Sequence, residues 1–81
     1  MKVFDIFSWL SAEEIGLDQL EQIFKDYYTG TYIGKYTVSL KAPCKMEKNI
    51  LDCSAELIEE GKKIGYILKD DKVIALIAYM E

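Results

Sequence analysis

The chain has 81 residues, 14 of them acidic and 10 of them lysine, with a formal charge of −4 and neither arginine nor histidine. An acidic chain without guanidinium groups is poorly suited to nucleic acid, which is gripped by positive charge and read at guanine by arginine, and a chain without imidazole lacks the usual neutral-pH acid–base group and the commonest metal ligand. No apolar run reaches the roughly 20 residues that span a bilayer, so the expectation is one small domain in the cytoplasm, with no membrane and no direct nucleic-acid contact and with a thin core.

Polar residues recur at every third position, Lys2, Asp5 and Ser8, with Val3, Phe4, Ile6, Phe7, Trp9 and Leu10 between them. This spacing predicts a short N-terminal helix with a broad apolar surface, a strand over Lys2–Phe7 being the alternative. Ser11 and Glu14 have capping-box spacing, and Gly16 offers a left-handed stop. Asp18 and Glu21 repeat the capping device ahead of a predicted helix over Gln19–Tyr28, where Leu20, Phe24 and Tyr27 or Tyr28 share a face and Gly30 ends the run. The period then changes. In Thr31–Leu40, Tyr32, Gly34, Tyr36, Val38 and Leu40 alternate with their neighbours, predicting a strand in which Gly34 marks a bulge or a close approach. Pro43 closes this segment.

A second helix is predicted over Met46–Glu60, with Ile50, Leu51, Leu57 and Ile58, and Cys53 or Ser54 between them, as its apolar stripe and Gly61 as its stop. Gly65–Met80 reads as a hairpin whose turn, Lys69 to Lys72, contains two aspartates that tolerate turn geometry. Its second arm, "VIALIAYM", is apolar at almost every position, which calls for cover on both faces or a central place in the sheet. The order ααβαββ predicts an α+β domain. Its small, mainly antiparallel sheet has three strands and is packed by two main helices plus a short N-terminal one. The helical link from the first strand to the hairpin would be a right-handed crossover if the strands it joins were parallel.

The stretch "AELIEEGKKIGYILKDDKVIALIAY", Ala55 to Tyr79, resembles the helix–strand–turn–strand early part of the Gcn5-related N-acetyltransferase family. The resemblance implies a later glycine-rich loop that cradles the pyrophosphate of acetyl-CoA. No Q-x-x-G-x-G-like loop occurs in these 81 residues, so no cofactor-binding residue carries over.

Little else points to chemistry. Cys44 and Cys53 read as two free thiols, with a single disulfide as the other option. A zinc site would need two more soft ligands than the chain supplies. The acid pairs Glu13–Glu14, Glu59–Glu60 and Asp70–Asp71 fall at helix ends and turns, where carboxylates are solvated rather than set in the contrasting environments that acid–base catalysis needs. No catalytic residue, cofactor or metal is assigned, and an enzyme is not expected.

The aromatic residues are more informative. Tyr27, Tyr28, Tyr32 and Tyr36 fall within ten positions, and Tyr27 and Tyr28 diverge by about 100° on a helix, so at least one ring should face solvent or a partner. Trp9 joins them, because a thin core does not cover all of Phe4, Phe7, Trp9 and Leu10. The plain alternative is that these rings seal the core margin. As an interaction surface, Trp9, Tyr27, Tyr28, Tyr32 and Tyr36 are the candidates, since Tyr and Trp are enriched at hot spots. The leading expectation is therefore a small acidic non-catalytic protein-binding domain, a regulator, inhibitor or accessory subunit whose partner has a basic surface. Its composition is shared with many accessory proteins of phages and mobile elements. The second reading is a small-ligand or catalytic domain whose pocket is completed by oligomerisation, with Tyr28, Tyr32 and Tyr36 lining it and Lys35 as its cationic contact. An open edge at Thr31–Leu40 or Ile64–Leu68 would also permit a homodimer, or capture of an extended segment, unless Lys35 and Lys69 protect it.

Overall fold

A computed structural model describes residues 1–81. The elements run β1 (Lys2–Ser8), α1 (Leu17–Thr29), β2 (Thr37–Ser39), α2 (Lys48–Glu59), β3 (Lys63–Lys69) and β4 (Lys72–Met80). The four strands form one sheet in the order β1-β4-β3-β2, and every neighbouring pair is antiparallel. The fold is α+β, as expected, with two helices and four strands where the sequence predicted three helices and three strands.

The unbroken apolar run of β4 explains the architecture. Val73–Tyr79 is buried at every position. Successive strand residues point to opposite faces, so such a run needs cover above and below. Ala75, Ile77 and Tyr79 join Leu20 and Phe24 of α1 in one core cluster. Leu76 and Ala78 join Ile50 and Leu57 of α2 in the other. The helices therefore lie on opposite faces of the sheet, and β4 runs between β1 and β3. The hairpin turn is tight: Asp70 and Asp71 both have positive φ, 52° and 64°, the backbone of a type I′ connection whose twist matches the flanking strands. Gly30 and Gly61, at φ 80° and 82°, end the two helices in the left-handed conformation that a side chain would resist.

Gly65 belongs to the α1 core. A Cβ built there would collide with the Phe24 ring, and Phe24 itself is fully buried. The missing side chain on β3 is the space that the largest core ring occupies.

Several expectations need correcting. The N-terminal segment is a strand, and the apparent threefold period comes from a bulge: register with β4 shifts between Val3 and Asp5. The extra residue, Phe4, lets Val3 and Ile6 both pack on the α1-side cluster although they are three apart. Ser11–Glu14 forms a turn, with the N–H groups of Glu14 and Ile15 donating to the Ser11 carbonyl. Gly16 does not stop a helix but starts one: it is the N-cap of α1 in extended backbone, and its N–H donates to Gln19 Oε1 at 2.8 Å. Asp18 lies in the first turn, where a negative charge favours the helix dipole.

The predicted ten-residue strand shrinks to Thr37–Ser39. The chain before it is fastened to α1 instead, with the N–H groups of Thr31 and Tyr32 donating to the Asp26 carbonyl. Finally, β3 lies inside the sheet, so Ile64–Leu68 is not an edge. The edges are β1 and β2. No strand pair is parallel, so the condition for a right-handed crossover is not met.

Candidate functional site

At its C-terminal end β1 leaves the sheet and turns across the core margin. The Trp9 N–H donates to the Ile74 carbonyl at 2.8 Å, extending the ladder by one residue. Ser8 Oγ accepts the Leu10 N–H and donates to the Leu10 carbonyl, both at 3.2 Å, which sets the bend. Leu10 and Ile15 then pack on the α1 side while Trp9 packs on the α2 side. Between them the chain leaves a hollow of about 470 Å³. It is lined by Ile6, Phe7, Ser8, Trp9, Leu10, Ala12, Ile15 and Leu17, all apolar but the serine. Phe7 is 37% exposed and Leu17 53%. Of the sequence candidates, Trp9 alone belongs here.

Along the same strand Phe4 is exposed, with Lys2 Nζ 5.0 Å and Lys62 Nζ 5.7 Å from its ring centroid. Lys62 also bridges Glu60 at 2.9 Å and Asp5 at 3.3 Å. Those two carboxylates hold its ammonium above the ordinary lysine range, Glu60 contributing most.

Tyr27 and Tyr28 lie at the last turn of α1, and both are partly exposed. Tyr28 completes an aromatic trio: Phe24 and Tyr79 are 4.9 Å apart, Tyr28 and Tyr79 6.0 Å edge-on, and Phe24 and Tyr28 6.2 Å. Desolvation and then the Glu81 carboxylate push the Tyr28 hydroxyl up. Glu81 is drawn down by Lys63, its ion-pair partner at 3.2 Å, and then by Tyr28. Tyr28 therefore serves the core margin, while Tyr27 is the freer ring.

Tyr32 and Tyr36 do not share a strand face. The Tyr32 hydroxyl accepts the Tyr36 N–H at 3.1 Å, and its ring fills the place a Cβ on Gly34 would take. The glycine marks a close approach, one of its two predicted roles, but Tyr32 closes a loop. Tyr36, with Lys35 Nζ 5.5 Å from its ring centroid, borders a mixed hollow of about 330 Å³ beside Glu14, Ile15, Gln19, Gln22, Ile23 and Asp26. The single chain does not gather Tyr28, Tyr32 and Tyr36 into one pocket.

Elsewhere, a groove of about 530 Å³ separates the Pro43–Glu47 loop and the first turn of α2 from the hairpin turn at Asp71–Val73. Cys44, exposed, borders it; Cys53 is half-buried on α2, where burial and then Glu56 push its thiol up. The two thiols are free. No three Cys, Asp or Glu side chains converge as metal ligands, and no helix is long and apolar enough to cross a membrane.

Sequence reasoning missed Leu17 and the hollow as a unit. Its visible signal was an apolar residue between Gly16 and Asp18, outside any helical stripe. The chain matches no family model, no curated protein and no solved structure, so the acetyltransferase resemblance of Ala55–Tyr79 has no support from these comparisons.

Proposed function

We propose that this chain is a non-catalytic protein-binding domain: a regulator, an inhibitor or an accessory subunit of a larger assembly. The observation that carries this reading is the open apolar hollow at Trp9, flanked by the exposed side chains of Phe7 and Leu17. Apolar surface left in water forgoes about 25 cal/mol per Å², and exposed apolar side chains gathered around a hollow give a partner something to bury. The contact would be made by side chains rather than by strand addition. The β1 edge is interrupted by its bulge and carries the Lys62–Asp5 ion pair, and the β2 edge is three residues long; these features protect sheet edges from pairing.

The test compares Phe7→Ser/Leu17→Ser with Tyr27→Ser/Tyr28→Ser as bait in a host extract, with thermal melting as the control for folding. Loss of a discrete captured protein with the first pair, at an unchanged melting temperature, is the expected result. Capture indifferent to both pairs, or a rise of several degrees in the melt on adding one member of a nucleotide and coenzyme panel, would overturn the proposal.

A further inference from the structure

We infer that the Trp9 hollow receives a large apolar side chain presented by a basic polypeptide segment; the inference rests on the protein-binding reading above and names the partner's chemistry. Shape comes first. The walls are apolar, and they are held by backbone rather than by mobile side chains alone: the Trp9 N–H is tied to Ile74, Ser8 closes on Leu10, and the Ser11 carbonyl fixes Glu14 and Ile15. A preformed hollow beside partly exposed rings is what an anchoring side chain needs, because little is lost in ordering it.

Charge supplies the second half. No lysine occurs between Val3 and Phe24, whereas Asp5, Glu13, Glu14, Asp18 and Glu21 all do. Asp5 pairs with Lys62 and Glu21 with Lys25. Glu13, Glu14 and Asp18 are exposed and have no ion-pair partner. Each of the three is the chain neighbour of a lining residue: Glu13 of Ala12, Glu14 of Ile15 and Asp18 of Leu17. The walls of the hollow are thus apolar, and the unpaired carboxylates stand next to its lining residues in the chain rather than in the lining itself, Glu14 bordering the neighbouring hollow beside Tyr36. Their field attracts lysine and arginine and repels acidic segments and nucleic acid. The fitting occupant is an apolar residue with basic neighbours, in which the anchor provides affinity and the flanking cations provide speed of encounter and choice of partner.

The experiment selects a random displayed-peptide library on the intact protein at low salt, then measures synthetic copies of the enriched sequences by the emission of Trp9, the only tryptophan. The expected peptides carry one large apolar residue with lysine or arginine within about one helical turn. Their binding shifts the Trp9 emission. It weakens by about tenfold or more in Leu17→Glu, whose exposed position spares the fold, and in peptides whose anchor is replaced by serine. The Glu13→Gln/Glu14→Gln/Asp18→Asn variant loses affinity at low salt but not at high salt, where those charges are already screened.

Enriched peptides without basic residues, or binding indifferent to Leu17→Glu, would overturn the inference. Peptides that fail instead on Tyr27→Ser/Tyr28→Ser would leave the protein-binding reading standing and remove the hollow from it. A library that yields no binder counts against both.

Discussion

Gly65 and Phe24 show how one residue sets the limits on another. A β-strand position with no side chain is a weakness in isolation, yet here it makes room for the ring at the centre of the α1-side core. Gly65→Ala is expected to destabilise the fold by about 1–3 kcal/mol through overpacking, read as a lower midpoint in denaturant unfolding. Combining it with Phe24→Leu should recover part of that loss, so that the two changes are non-additive in a double-mutant cycle. Strict additivity would mean that the ring and the glycine are not in conflict. The sequence flagged Gly34, not Gly65, as a close approach. Both sit in apparent strands, and nothing local announces which large side chain will arrive from another element.

At the scale of elements, the hairpin was the most legible part. Two apolar arms around an aspartate pair identify the turn, and both aspartates adopt the left-handed backbone it requires. That conformation costs a residue with a Cβ about 1–2 kcal/mol relative to glycine. Asp71→Gly, giving the favoured Asp-Gly pair, should therefore raise stability by about 1 kcal/mol in chemical denaturation, and no gain would mean that the turn is already relaxed.

Both helices and their glycine ends were also readable, since periodicity and a C-terminal glycine are local; the start of α1 was not, its N-cap being Gly16 and not Asp18. The width of the buried face was not. Ile50, Leu51, Leu57 and Ile58, with Cys53 or Ser54 between them, read as one stripe; Leu51 and Ile58 are 46% and 60% exposed because α2 turns Ile50, Ser54 and Leu57 to the sheet. Two strands were misread for opposite reasons. The bulge in β1 disguised a strand as a helix. In Thr31–Leu40 a true alternation failed to become a strand because the chain found hydrogen bonds at the end of α1 and between Tyr32 and Tyr36. Of the site, Trp9 was visible as an aromatic in excess of what a thin core covers; its neighbours across the Ser8–Gly16 turn were not, since only the turn brings them together.

For the whole molecule, every shifted group except Glu81 points in one direction. Burial pushes the hydroxyls of Tyr66, Tyr79 and Tyr28 up, and two carboxylates push the Lys62 ammonium up. Each of these groups holds its proton more tightly folded than unfolded. Their contribution is complete below the unfolded values, near pH 10, and is lost as pH rises through the folded ones. The melting temperature should therefore fall above about pH 10, and Tyr66→Phe should soften that fall while changing little at neutral pH. An alkaline limb that is flat, or that Tyr66→Phe leaves untouched, would contradict this. Glu81 acts at the other end of the scale: its lowered carboxyl supports the fold above the ordinary glutamate range and ceases to do so on acidification.

The pairing of the first strand with the last has one more consequence. Lys2–Ser8 covers one side of a strand that is buried along seven consecutive residues. Those residues have high β-propensity, carry no charge and contain no proline, the profile of a segment that stacks into fibrils once its hydrogen-bonding groups are bare. Lys2–Ser8 is thus a guard as much as a structural member: a chain in which β1 has come away from β4 has a sticky ribbon open to its own copies, and its safety depends on how quickly two segments far apart in the sequence find each other.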